Sequence, residues 1–306
     1  MARDYLSVDD LAPDELIGIL DLSGKLKADP AAYSERLRGR SIALVFEKPS
    51  TRTRVSFEVG VAELGAHPLV ISSTELQLGR GETIEDTGRV LSRYVDAIVL
   101  RTFEQERLEQ LASAASVPVV NALSDFEHPC QALADLLTVR ERLGGPGGHV
   151  LTYVGDGNNV AHSLLLAGAK VGMHIRIATP PGFGPIPQVV KRAVEIAAEA
   201  GGSVEVLHDP LEAATGADIL YTDVWASMGQ EDEADERELV FRGYQLDEKL
   251  VDLASADAVV MHCLPAHRGM EISARVIDGP RSAVWDQAEN RLHTQKALLL
   301  FLFDLA

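Results

Sequence analysis

Five places along this chain put chemically capable residues side by side. The first is Glu47-Lys-Pro-Ser-Thr-Arg-Thr-Arg54. Ser50 and Thr51 are good helix N-caps. A helix N-terminus offers unpaired N–H groups and the positive end of a dipole, which suit a phosphate. Arg52 could add a bidentate grip, and Lys48, Arg52 and Arg54 against Glu47 make a local basic island. The bland alternative is a capped helix with surface arginines. The second place is Arg101-Thr102, directly after an apolar run. The third is His128-Pro-Cys-Gln131. His128 could polarise a carbonyl or move a proton, Gln131 offers an amide one turn on, and Cys130 reads as a packing thiol.

The fourth place is Gly155-Asp-Gly-Asn-Asn159. Its glycines suggest a dinucleotide loop, but the third glycine of that pattern is replaced by Val160. No acidic residue clearly ends the following strand either, so a nicotinamide cofactor is not expected. Two adjacent asparagines suit hydrogen bonds to a small zwitterion. The fifth place is a pair, Asp223-Val-Trp-Ala-Ser-Met-Gly229 and His262-Cys-Leu-Pro-Ala-His-Arg-Gly269. Asp223 could pair with a ligand ammonium, and Cys263 could act as a thiol donor or simply pack. His262, Cys263 and His267 match no structural zinc spacing, so no metal is expected.

The elements that must hold these residues alternate in kind. Short β-branched runs at 42–46, 69–72, 97–100, 117–120, 150–154, 174–178, 204–207, 219–222 and 258–262 read as strands. Helical patterns lie at 53–64, 83–94, 105–115, 129–143, 160–170, 188–200 and 245–253, with a last helix over 286–305. In the helix after the first strand, Phe57, Val61 and Leu64 form one apolar face and Gly65 supplies its stop. Near-continuous apolar strands alternating with helices imply an α/β fold of two doubly wound domains, each a parallel sheet flanked by helices. Gly144-Gly-Pro-Gly-Gly148 is the strongest break. It sets the expected boundary between domains 1–145 and 146–289; on the residues alone the last helix, with 290–306, could pack on either. Ligands of open α/β sheets bind beyond the carboxyl ends of strands, where all five places fall.

Composition narrows the partners. Lys and Arg number 28 against 46 Asp and Glu, a net charge of −18. That argues against coating nucleic acid or an anionic membrane, which needs a basic field. A small anionic substrate needs only a local positive site. Six carboxylates and one arginine between Glu231 and Glu238 read as a solvated loop, and the stretch from Trp225 to Glu238 as a candidate lid. Two cysteines imply no disulfide framework, and a reducing cytoplasm is the expected setting. The N-terminal residues lack a signal peptide's apolar core. The longest aliphatic and aromatic run is seven residues, 297–303, where a membrane span needs about 20.

The five motifs occur together and in order, and the set resembles the transcarbamylase family. Ser50-Thr-Arg-Thr-Arg54 and His128-Pro-x-Gln131 look like its carbamoyl phosphate signatures. Asp223-x-x-x-Ser-Met-Gly229, His262-Cys-Leu-Pro265 and Asp156-Gly-Asn-Asn159 look like its ornithine branch. The likeness runs from about residue 5 to residue 303. It implies transfer of the carbamoyl group of carbamoyl phosphate to the δ-amine of L-ornithine, giving L-citrulline and phosphate, within arginine metabolism.

By this resemblance Ser50, Thr51, Arg52 and Thr53 hold the phosphate. Arg101, His128 and Gln131 hold and polarise the carbonyl and amide. Gln77 reaches the phosphate, in the family from a neighbouring subunit. Cys263 and Leu264 sit at the reaction centre and Arg291 near the carbamoyl group. Asn159, Asp223, Ser227 and Met228 take the amino-acid end of ornithine. The catalytic set is Arg52, Arg101, His128, Asp223 and Cys263. The resemblance also implies a homotrimer or an assembly of trimers, and a C-terminal helix returning to the first domain. No metal or organic cofactor is expected, because the substrate is already activated. The rivals are a transcarbamylase for putrescine or an acetylated ornithine, a catalytically dead binding protein, and a dinucleotide oxidoreductase.

Overall fold

The computed structural model describes residues 3–72, 81–226 and 231–306. The chain divides into two compact units, one of Met1–Ala134 with Glu289–Ala306 and one of Asp135–Ala288. Each is a parallel sheet flanked by helices, and the C-terminal segment belongs to the first.

The first unit opens with helix α1 (Pro13–Ala28) and continues β1 (Ser41–Phe46), α2 (Thr51–Glu63), β2 (His67–Ser72), α3 (Ile84–Leu91), β3 (Ala97–Arg101), α4 (Gln105–Ala114) and β4 (Val119–Leu123). Helix α5 (Pro129–Leu143) starts here with proline at its first position, where the missing N–H costs nothing. The strand order is β2-β1-β3-β4, all parallel. Strands β1, β3 and β4 are almost wholly buried, which is why their sequences are apolar without alternation. Val45, Ile98, Leu100, Leu108 and Val119 are among the residues of one core layer.

The second unit continues with β5 (Val150–Val154), α6 (Asn159–Lys170), β6 (His174–Ala178), α7 (Pro187–Ala200), β7 (Ser203–Leu207), α8 (Pro210–Ala214), β8 (Ile219–Thr222), α9 (Ala234–Phe241), α10 (Glu248–Leu253), β9 (Val259–His262) and α11 (Ala274–Ile277). Helix α12 (Val284–Leu302) begins here, and its later turns belong to the first unit. The order is β7-β6-β5-β8-β9, again parallel. The glycine-rich stretch 144–148 lies within this unit, between α5 and β5.

Both orders reverse direction once, between β1 and β3 and between β5 and β8. Such switch points open a crevice beyond the strand ends. The loops bordering them are 47–50 and 102–104 in the first unit, and 155–158 and 223–226 in the second. The acidic run is not simply a loop. It forms a short 3₁₀ turn, Glu231–Glu233, followed by α9. Among the described residues, no helix is long and apolar enough to cross a membrane.

Candidate functional sites

In the first unit, Ser50 is the N-cap of α2: its hydroxyl accepts from Thr53 N–H at 3.2 Å and lies 3.0 Å from Thr53 Oγ1. Capping one donor leaves the other first-turn N–H groups available. Thr53 is fully buried, and Thr51 is exposed. Arg291, on α12, donates through Nη2 to Thr53 Oγ1 at 2.7 Å and through Nη1 to Gln131 Oε1 at 2.8 Å. One guanidinium thus joins the starts of α2 and α5. It also settles the Gln131 amide, whose oxygen is engaged, so that its NH₂ is the donor presented elsewhere.

Gly60 is what lets α12 come this close to α2. A methyl there would meet Lys296 Cγ at 3.2 Å and Leu292 Cδ1 at 3.3 Å. The stem of Lys296 is buried, and its ammonium reaches Glu63 at 2.6 Å.

Arg101 ends β3 and is 7% exposed; His128 precedes α5 and is 4% exposed. Burial first, then the charges of Arg291, Arg101 and Arg52, hold the His128 imidazole well below its ordinary range. It is therefore neutral at pH 7, a hydrogen-bond donor that adds no charge. Among the described residues Arg52 has no acidic partner. The other two cations of the basic island do not join it. Lys48 is buried against Asp125 and over the Phe103 ring at 4.2 Å, and exposed Arg54 pairs with Glu58 at 3.4 Å. Glu47 is spoken for by Arg107 and the Thr102 hydroxyl. The pairs Lys48–Asp125 and Glu47–Thr102 thus brace the three loops after β1, β3 and β4. Cys130 is buried, donates to Asn121 O at 3.3 Å, and is pushed by burial up to about 12. It packs and does not react.

In the second unit, Asp223 follows β8 and is 5% exposed. Cys263 Sγ donates to its Oδ1 at 3.0 Å and Asn158 Nδ2 donates to its Oδ2 at 3.0 Å. Asn158 also caps α6, accepting from Val160 N–H at 2.9 Å and Ala161 N–H at 3.3 Å. The sequence singled out Asn159, which is half-buried beside it. Asn158, which orients the aspartate, was missed, although its place before an apolar helix is a legible cap signal. The loop lies tight against its surroundings: a methyl on Gly157 would sit 2.3 Å from Pro185 N. Asp156 pairs with Arg237 of α9 at 3.0 Å, and Arg237 also donates to Trp225 O at 3.0 Å. The one arginine of the acidic run therefore fastens that run to the fourth motif.

The His262-Cys-Leu-Pro265 turn is fixed from behind. Leu264 N–H donates to His262 Nδ1 at 2.9 Å, so Nε2 carries the hydrogen and donates to buried Glu271 at 3.2 Å. Half-buried Leu264 adopts φ +59°, a costly conformation held by this bond. Ligand atoms of Asp223, His262 and Cys263 lie within 4.8 Å of one another. Both imidazole nitrogens are already engaged, however, and the thiol donates its hydrogen to the aspartate, so a cation would have to displace the thiol–aspartate bond and one of the two imidazole bonds. Exposed His267 stands apart, 3.7 Å from Glu271. Gln77, Ser227 and Met228 lie outside the described residues.

These features define a class: a two-unit α/β protein with a candidate anion site, bearing Arg52, Arg101 and Arg291, at the switch point of one sheet. At the switch point of the other stands an aspartate–thiol pair suited to an amine. Two family models match it. Residues 3–141 match the carbamoyl-P binding domain of aspartate/ornithine carbamoyltransferase, and residues 148–302 match the Asp/Orn binding domain. An ornithine carbamoyltransferase of Parafrankia sp. (strain EAN1pec) is 65% identical over 306 residues, covering 99% of this chain and 96% of its own. One from Acidothermus cellulolyticus is 61% identical, covering 100% and 98%. The solved structure of the Pyrococcus furiosus ornithine carbamoyltransferase superposes with a TM-score of 0.95 at 54% identity, covering 98% and 96%. The chain belongs to the aspartate/ornithine carbamoyltransferase family.

Proposed function

We infer that the chain transfers the carbamoyl group of carbamoyl phosphate to the δ-amine of L-ornithine, releasing L-citrulline and phosphate. The observation that carries this is Arg291 joining the capped start of α2 at Thr53 to the start of α5 at Gln131, with buried His128 directly before α5 held neutral by burial and by the charges of Arg291, Arg101 and Arg52. The hydrogen-bonded Asp223–Cys263 pair supports an amine acceptor. The first unit takes carbamoyl phosphate and the second takes ornithine.

The neutral amine nitrogen attacks the carbonyl carbon, the bond from that carbon to the phosphate oxygen breaks, and the proton the nitrogen then sheds passes to the departing phosphate. Negative charge appears first on the carbonyl oxygen and then on the departing phosphate. His128, Arg101 and Gln131 are the fixed donors for the oxyanion. Ser50, Thr51, Arg52, Thr53 and the helix N-terminus receive the phosphate. Arg291 holds Thr53 and Gln131 in register and adds its own charge. Free ornithine is almost fully protonated at its side chain at neutral pH, with a pKa near ~10.4 as for Lys. Asp223 and Cys263 are the groups at this end; a carboxylate favours the ammonium, so Asp223 serves by taking its proton before the neutral amine attacks, with Asn159, Ser227 and Met228 completing the amino-acid site and Leu264 beside the carbamoyl group. A mixed anhydride needs no activation and no redox change occurs, so the chemistry calls for no cofactor.

The working form is a homotrimer or an assembly of trimers, with Gln77 contributed by the neighbouring copy. Exposed Val55 and Val59 on α2 and the open edge strand β2 are surfaces for such contacts. The reaction serves arginine metabolism in the cytoplasm, where the free thiols Cys130 and Cys263 stay reduced. The decisive assay is phosphate release from carbamoyl phosphate with ornithine, N-acetylornithine, putrescine, aspartate or no acceptor. Turnover is expected with ornithine. Its absence, or preference for another acceptor, would overturn the assignment.

A further inference from the structure

Glu127 is a fully buried carboxyl that the transfer chemistry does not use, and it directly precedes His128. Ser7 Oγ donates to its Oε1 at 2.6 Å and Val8 N–H donates to its Oε2 at 2.9 Å. Its backbone is tied as firmly: Ser124 N–H donates to Glu127 O at 2.9 Å and Glu127 N–H donates to Ser124 Oγ at 3.2 Å. The residues it reaches belong to an N-terminal segment that runs parallel to β4. Tyr5 N–H donates to Val119 O and Asn121 N–H to Tyr5 O, both at 2.8 Å. Asn121 Nδ2 donates to Leu6 O at 2.8 Å, and the Tyr5 hydroxyl to Pro129 O at 3.3 Å. The segment therefore grips both sides of His128, at Glu127 and at Pro129.

We propose that Glu127 is a positioning residue for His128, clamping the N-terminal segment to the turn from which His128 projects. This rests on the carbamoyl-transfer reading above. A carboxyl is suited to the task because its two oxygens meet two diverging partners: Val8 N–H, which donates, and the Ser7 hydroxyl, which can donate to the carboxylate or accept from the protonated acid. The charged groups facing it are Asp9 and Asp10 of the segment, both acidic. On the other packed elements Ser124 and Gln105 are neutral, and Tyr5 stays protonated. Burial accordingly raises Glu127 to about 7, against the pull of its two hydrogen bonds. The folded chain then holds a proton there that the unfolded chain releases near 4.5. Stability from this group is full below pH 4.5 and is lost as pH rises to about 7.

The test is steady-state kinetics with each substrate varied, beside thermal unfolding from pH 4.5 to 8.5. Glu127→Ala is expected to lower kcat/KM for carbamoyl phosphate at least tenfold while KM for ornithine holds, because a displaced catalytic group can cost up to about 10²-fold. Glu127→Gln, which can accept from Val8 and donate to Ser7, is expected to recover most of that loss. It should also reduce the fall in unfolding temperature between pH 4.5 and 7, leaving only the share due to other groups such as Asp156. Ser7→Ala should show a smaller loss on the same substrate. Unchanged carbamoyl phosphate kinetics in Glu127→Ala, or an equal loss on both substrates, would overturn the proposal. Should Glu127→Ala fail to fold, a Ser7→Ala chain with unaltered kinetics would do so. A wild-type chain forming no citrulline would defeat the reaction itself. The clamp would then be read from hydrogen exchange at Gln131 and Ala132, whose N–H groups bond to His128 O. Exchange there unaltered by Glu127→Ala would reject it.

Discussion

A neutral imidazole among three guanidiniums can polarise a carbonyl without adding a fourth charge to repel. Burial and those arginines hold His128 well below its ordinary 6.5. The unfolded chain protonates near 6.5 while the folded one does not, so stability from this group is present above pH 6.5 and lost as pH falls. The rate constant with carbamoyl phosphate should accordingly show no His128 ionisation between pH 6 and 8, and an acid limb there that vanishes in His128→Gln would contradict this. Arg52→Ala removes a charge aimed at the phosphate, and loss of one such donor costs about 10²–10³ in kcat; citrulline formation measures it. Asn158 makes a finer test. Asn158→Asp keeps a helix-capping oxygen but sets a second carboxylate against Asp223. KM for ornithine should rise more in Asn158→Asp than in Asn158→Ala, although the alanine variant loses about 1 kcal/mol of capping. The opposite order would mean that Asn158 only caps. Residue types with their spacing made the donor site legible in the sequence. What they could not show is pairing across distance: that Lys48 and Arg54 are already engaged, or that Arg291 reaches Thr53 and Gln131.

Elements were legible where their apolar period was strong. Strands β5, β6 and β8 fall at their expected bounds, and α5 matches from Pro129 to Leu143. Helix α1 was overlooked although Leu16, Ile19, Leu20 and Leu26 line one buried side, because Gly18 and Gly24 dilute the pattern and Ala12, at the N-cap, has no side-chain acceptor to signal the start. Helix α9 was hidden by its charge. Six acids suggested a solvated loop, yet Arg237 turns inward to Asp156 and Trp225. Burial first raises Asp156 to about 6, against the opposing pull of Arg237. Stability from Asp156 is therefore full below pH 3.8 and is lost as pH climbs to 6. Asp156→Asn should unfold at a higher temperature than wild type at pH 8 and at nearly the same one at pH 4. A variant less stable at pH 8 would show that the ion pair outweighs the cost of burying the charge.

At the scale of the molecule, a net charge of −18 coexists with a phosphate-bearing substrate because the positive groups are few, buried and local. The proposed trimer is tested at this scale. Val55→Lys with Val59→Lys alters exposed side chains, so the chain should fold but sediment as a monomer with lost activity; a trimer persisting in the double variant would move the interface elsewhere. The division of the chain has a consequence for how the protein is made. The first unit is interrupted after Ala134 and resumed only at Glu289, and a ribosome delivers residues in order. Arg291, the guanidinium that joins Thr53 to Gln131, emerges only after all of the second unit. A nascent chain halted before it can carry the Ser50 cap, Arg52, Arg101 and His128 and still lack the side chain that sets two of their neighbours in place. The proposed phosphate site is thus completed only after the whole second unit has been made, and termination before Arg291 leaves a product that cannot close it.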